Sequence, residues 1–118
     1  MILVVDHDIS FLDLASQILN HDRRVFLASD AQKAFQLASH LGFSVALVDL
    51  NFKGKDGLSL IRKLRESFPD LPIIAISSSL TPTETDRAKQ LGVVEVLQKP
   101  ITPEWKPVVE RARAPRKR

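Results

Sequence analysis

Asp6, Asp49, Ser77 and Lys99 are the residues of this chain best placed to do chemistry. Each closes or follows a short apolar run. Ile2-Leu3-Val4-Val5 leads to Asp6-His7-Asp8, and Val45-Ala46-Leu47-Val48 leads to Asp49. Ile73-Ile74-Ala75-Ile76 leads to Ser77, and Val93-Val94-Glu95-Val96-Leu97 leads to Gln98-Lys99-Pro100. Apolar runs of this length bounded by polar residues read as buried strands. A carboxylate at the exit of a buried strand is costly unless it is paired, hydrated or bound to a cation. In a parallel sheet the carboxyl ends of the strands share one edge, so two acids, a hydroxyl and an amine there make a site.

The elements that must position these groups alternate along the chain. Asp8 is the expected N-cap of a first helix whose inner face is Phe11, Leu12, Ala15, Ile18 and Leu19. A second strand runs from Arg23 to Ala28, with Val25 and Leu27 alternating against Phe26. Asp30 caps a second helix with Ala31, Ala34, Phe35, Ala38 and Leu41 inward, and Gly42 stands where its stop is expected. After Asp49 come Asn51 and the turn Gly54-Lys55-Asp56-Gly57, then a third helix striped by Leu58, Ile61, Leu64 and Phe68. Thr81-Pro82-Thr83-Glu84 is a capping box with proline at the first helical position. The helix it opens is weakly apolar, is expected to be the most mobile element, and ends at Gly92. Thr102-Pro103 opens the last helix, with Trp105, Val108, Val109 and Ala112 inward and Pro107 set to kink it or shorten its first turn. Five strand–helix units with apolar strands predict an α/β fold: a parallel sheet, doubly wound, with helices on both faces.

The chain has 118 residues, the size of one domain, and no cysteine, which excludes disulfides and thiolate metal sites. The lack of cysteine fits a reducing compartment, and a cytoplasmic location is expected. No apolar stretch approaches the ~20 residues of a membrane span, and Met1-Ile2-Leu3 reads as the start of a strand rather than a leader. The formal charge of +3 is local: Arg111, Arg113, Arg116, Lys117 and Arg118 fall within the last eight residues. Without them 12 Lys and Arg stand against 14 Asp and Glu, so the body is slightly acidic and no nucleic-acid surface is indicated for it. The expected organisation is one domain over residues 1–112, with 113–118 a basic tail or the start of a linker.

The segments "ILVVDHD", "VALVDLNFKGKDGL", "LPIIAISSS" and "VLQKPIT", in this order, resemble the receiver domain of two-component response regulators, the chemotaxis-regulator-like fold. The resemblance covers residues 1 to about 110 and implies a flavodoxin-like five-stranded sheet of order 2-1-3-4-5. It also implies that Asp49 accepts a phosphoryl group from a sensor histidine kinase or phosphotransfer protein. Asp6 matches the first of the paired acids around Mg²⁺, and Asn51 the position giving a backbone carbonyl to that ion. Ser77 matches the hydroxyl that follows the phosphoryl group, and Lys99 the ammonium, with the Lys99–Pro100 bond usually cis. Asn51 and Ser79 match positions that tune the lifetime of the phosphoryl group. The chemistry suits these types: a carboxylate attacking phosphorus forms an acyl phosphate. A divalent cation on one side and an ammonium and hydroxyl on the other neutralise the phosphoryl oxygens.

Two positions depart from the family. His7 replaces the second paired acid, the usual direct ligand to Mg²⁺. Imidazole suits Mn²⁺ or Zn²⁺ better than that hard cation, so Mg²⁺ affinity is expected to fall by ~10- to 100-fold while Mn²⁺ remains a candidate. Asp8, one residue on, is read as a cap and not as a substitute ligand. Val96 replaces the usual aromatic switch residue and has no ring to swing.

The expected partners are the phosphodonor, a downstream protein or covalently attached output domain, and a second copy through the fourth and fifth helices. The domain is not expected to be a turnover enzyme; only self-catalysed phosphorylation and dephosphorylation are expected. The alternative is a pseudo-receiver, a binding module with little Mg²⁺-dependent chemistry because of His7. A hydrolase using Asp49 on small phosphates is a third reading, weakened because Asn51 stands where a general acid is needed.

Overall fold

The computed structural model describes residues 1–19, 24–51 and 57–113. Strands β1 (Ile2–Val5), β2 (Val25–Ala28), β3 (Val45–Asp49), β4 (Ile73–Ser77) and β5 (Glu95–Gln98) alternate with five helices. These are α1 (Ile9–Leu19), α2 (Ala31–His40), α3 (Gly57–Ser67), α4 (Pro82–Gln90) and α5 (Trp105–Ala112). All strands pair in parallel in the order β2-β1-β3-β4-β5. This is the flavodoxin-like doubly wound sheet expected from the sequence.

The strands are apolar throughout because each face of the sheet is covered. Leu3, Val5, Ala46, Val48, Ile73 and Ala75 pack under α2, α3 and α4. Ile2, Val4, Val45, Leu47, Ile74 and Ile76 pack under α1 and α5 with Phe11, Leu12, Trp105 and Val109. The period-2 pleat sends successive side chains into two separate cores. The central strands β1, β3 and β4 are wholly buried, while β5 is not. Glu95 and Gln98 are exposed, Val96 and Leu97 half-buried, because β5 is an edge strand.

The helix caps follow the sequence at most ends. Asp30 Oδ1 accepts from the Lys33 N–H and Thr81 Oγ1 from the Glu84 N–H. Gly92 closes α4 with φ +89°, a conformation that favours glycine. Gly42 is different: the α2 C-cap is Leu41 in extended geometry, so no left-handed residue is needed. Ala31 is exposed, and Leu37 joins the core instead. α5 begins at Trp105 rather than at Pro103, after a turn closed by Trp105 N–H to Thr102 O. Pro107 is then its third residue, where a missing N–H costs nothing, so the helix starts late instead of kinking. Arg23, His21, the Gly54–Asp56 part of the turn and the tail beyond Arg113 lie outside the described residues. His40 Nδ1 is held by the Gln36 carbonyl, a local contact on its own helix.

Candidate functional site: an acidic cleft at the carboxyl edge of the sheet

The order of the strands reverses between β1 and β3, and a doubly wound sheet opens a crevice at that point. The register that sets Val5 opposite Val48 puts Asp6 next to Asp49 one step further on. Asp6 is fully buried and Asp49 is 2% exposed. Two buried carboxylates side by side repel each other unless cations face them. Lys99, which follows β5, supplies one. Its Nζ pairs with Asp6 Oδ2 and lies 3.8 Å from Asp49 Oδ2. The Lys99–Pro100 bond is cis, as the resemblance implies. The ammonium also rests 4.4 Å from the centre of the Phe11 ring, a cation–π contact that holds it over the acids.

The backbone orients the remaining oxygens. Asp6 Oδ1 accepts from the Asp8 N–H at 2.9 Å, and Asp49 Oδ1 from the Asn51 N–H at 3.2 Å. Asp8 caps α1, its Oδ1 accepting from the Ser10 N–H at 3.0 Å. His7 leans over the pair, its Nδ1 3.7 Å from Asp6 Oδ1 and 3.6 Å from Asp49 Oδ2, with its side chain 44% exposed. Asp6, His7 and Asp49 each offer a donor atom, all within 4.8 Å of one another. Two carboxylate oxygens and one imidazole nitrogen, in a cleft with room for water, fit a divalent cation.

Above these groups lies an open cleft of about 570 Å³ lined by His7, Asp8, Ile9, Asp49, Asn51, Ser78 and Lys99. Ser77 is buried at the tip of β4, next to Asp49's strand. Its hydroxyl accepts from the Ser79 N–H at 3.1 Å, and its carbonyl accepts from the Lys99 N–H at 2.8 Å. Asp6, His7, Asp49 and Lys99 therefore meet directly, Asn51 meets Asp49 through its N–H, and the Ser77 hydroxyl faces its own loop.

Three participants escape a reading of the sequence. Phe11 reads as a core residue of a helical stripe, yet it also seats the Lys99 ammonium. Ser78 lines the cleft from a run of serines that reads as a loop. Gly57 reads as a turn residue, but it is buried and its N–H donates to the Leu50 carbonyl at 2.8 Å. Its lack of a side chain lets α3 start against the backbone that carries Asp49.

Burial pushes the Asp49 carboxyl above its ordinary value, with the neighbouring Asp6 charge adding to it. The Asn51 N–H, Lys99 and His7 pull the other way without cancelling the rise. An acid raised in the folded state favours folding while protonated and loses that contribution as pH climbs from the unfolded value of 3.8 through the folded one. Asp49→Asn is therefore expected to stabilise the fold at pH 7, by on the order of 1 kcal/mol. Thermal melts at pH 7 and below 3.8 check this, since the gain should vanish where the carboxyl is protonated in both states. A melt at pH 7 below that of the wild type contradicts it.

Residues 2–105 match the family model of the response regulator receiver domain. Regulatory protein VirG of Agrobacterium tumefaciens is 33% identical over 104 residues, covering 86% of this chain and 38% of VirG. The chain spans less than half the length of the curated relatives it matches. The receiver domain of NtrX from Brucella abortus superposes with a TM-score of 0.87 at 28% identity, covering 95% of this chain and 97% of that one. A response regulator from Burkholderia pseudomallei, solved with a phosphorylated aspartic acid, calcium ion and citrate, gives 0.82 at 28% identity. That match covers 92% of this chain and 64% of the other. Among the described residues no helix is long and apolar enough to cross a membrane. The chain belongs to the response regulator receiver domain family.

Proposed function

We propose that this domain accepts a phosphoryl group on Asp49 from a sensor histidine kinase or phosphotransfer protein and relays it through a protein contact. The observation that carries this reading is the position of Asp49 Oδ2. It is the oxygen left free of the Asn51 N–H, it opens on the cleft, and it faces both His7 and Lys99. As a bond from the Asp49 carboxylate to phosphorus forms, the P–N bond of the donor phosphohistidine breaks and its electron pair stays on the imidazole, which leaves neutral because its other ring nitrogen carries a proton. Lys99 supplies positive charge to the incoming phosphoryl oxygens, and the Asn51 N–H fixes the carboxylate plane. Asp6, Asp49 and His7 would hold a divalent cation, with the Asn51 carbonyl a further candidate donor, and that cation would supply charge neutralisation to the phosphoryl oxygens. Mg²⁺ or Mn²⁺ would fill this role, Mg²⁺ with the lowered affinity expected from His7.

Ser77 requires a rotation of its hydroxyl away from Ser79 to meet the phosphoryl group. Val96 is half-buried against the core and has no ring to report the change, so the signal leaves through β4, the loop after Ser77 and α4. The downstream element is an attached output domain, a separate protein, or a second copy meeting α4 and α5, in the cytoplasm. The phosphorylated aspartic acid of the similar Burkholderia pseudomallei response regulator supports the reading. A pseudo-receiver is the second reading, favoured by His7 standing where a direct carboxylate ligand is usual.

Intact-mass measurement after incubation with a small phosphodonor and Mg²⁺ or Mn²⁺ separates the two. Wild type should gain one phosphoryl group and Asp49→Asn none. No adduct with either ion supports the pseudo-receiver.

A further inference from the structure

We infer that His7 is a nitrogen ligand that turns the acidic cleft from a Mg²⁺ site into one preferring nitrogen-accepting divalent ions such as Mn²⁺ or Zn²⁺. This rests on the reading of the cleft as a divalent-ion site and specifies which ion it selects. Asp6 divides its two oxygens: Oδ2 is fully buried against Lys99, while Oδ1 faces His7. Asp49 divides its own, with Oδ1 on the Asn51 N–H and Oδ2 facing His7. One oxygen of each acid and the Nδ1 of His7 are thus turned to a common point.

The separations of 3.6 and 3.7 Å from Nδ1 to the two oxygens are wider than a direct hydrogen bond. They are close to the spacing of neighbouring donors around a bound ion, about 3.0 Å in an octahedral shell with bonds near 2.1 Å. A shift of the half-exposed imidazole by less than ~1 Å closes that gap.

Charge and softness decide which ion enters. Mg²⁺ takes oxygen almost exclusively and gives up its waters reluctantly, so a site with two carboxylates, one already committed to an ammonium, holds it poorly. A neutral imidazole adds no charge to help. Ions further along the first transition row accept imidazole readily and gain a bond from His7 that Mg²⁺ does not. The exposure of His7 also lets it rotate onto an ion without opening the core.

The test uses Mn²⁺ and Mg²⁺ alone, without a phosphodonor, on the full chain. Pulsed electron paramagnetic resonance of bound Mn²⁺ should show coupling to a nitrogen nucleus in wild type, and this should disappear in His7→Asn and His7→Asp. Titration should show Mg²⁺ binding ~10- to 100-fold tighter in His7→Asp than in wild type, with a smaller gain for Mn²⁺. Absence of nitrogen coupling in wild type, its survival in His7→Asn, or unchanged Mg²⁺ affinity in His7→Asp overturns the assignment. His7→Asn adds no charge, so a folding defect from a third carboxylate does not obscure the result. Nitrogen coupling without an Asp49 adduct upholds this metal assignment and removes phosphoryl acceptance. An adduct without nitrogen coupling overturns the assignment and leaves phosphoryl acceptance standing.

Discussion

Gly57→Ala should cost this domain about 3 kcal/mol and most of its capacity to accept a phosphoryl group. A methyl group at position 57 would stand 2.7 Å from the Cα and carbonyl carbon of Leu50, and closer still to the Asp49 carbonyl oxygen. These are backbone atoms of the segment that aims Asp49, so no side chain can move aside. Either α3 lifts from the sheet or the backbone after β3 shifts. Lifting α3 loosens Leu58, Leu60, Ile61 and Leu64, all buried. Shifting the backbone turns the Asp49 carboxylate away from Lys99, and misplacement by ~1 Å costs on the order of 100-fold in rate. Thermal melts and the rate of adduct formation with a small phosphodonor measure both effects. Wild-type values for Gly57→Ala in both would show that the contact does not constrain the site.

The second large effect is expected for Lys99→Met. Asp6 is fully buried and its Oδ2 has the Lys99 ammonium as its counter-charge. Removing one partner of a buried pair leaves an uncompensated charge, which costs about 3–5 kcal/mol in a closed interior. The cleft here is open to water, which lowers the expectation to ~2–4 kcal/mol. Methionine keeps the packing of the stem on Phe11, so the loss reports charge more than volume. With the ammonium gone, Asp49 also loses one of the influences that hold its carboxyl down. The deficit should therefore be largest near neutral pH and shrink as pH falls below the unfolded value of 3.8, where Asp49 is protonated in both states. Asp6→Asn combined with Lys99→Met removes the orphaned charge and should restore most of the stability while leaving adduct formation impaired. Equal stability of the single and double variants would show that the pair does not act as a unit.

Much of this architecture is legible in the chain itself. The apolar runs ending in Asp6, Asp49 and Ser77 identify buried strands because only a sheet covered on both faces needs no polar side. The reading is weakest at Val93 to Leu97. This run is apolar but for Glu95, and the strand that forms, Glu95–Gln98, starts later and is a half-exposed edge. Apolarity states what a residue tolerates, and only the strand order decides which strand lies outermost. Pro107 gives a similar case. Its chemistry forbids a place deep in a helix, but the turn at Thr102–Pro103 determines that the helix begins late enough to accept it.

The site divides along the same line. Local sequence is enough to make Asp8 and Asp30 caps and Gly92 a helix terminator, because those bonds close within a few residues. It also places an acid, a hydroxyl and an amine at strand ends. The meeting of Asp6, Asp49 and Lys99, the seat of the ammonium on Phe11, the tilt of His7 over both carboxylates and the need for no side chain at Gly57 are decided only in three dimensions. All but the Gly57 contact, which spans only the turn after β3, join segments far apart in the chain, and the register of β1 against β3, with the packing of α1 and α3 on opposite faces, brings them within reach.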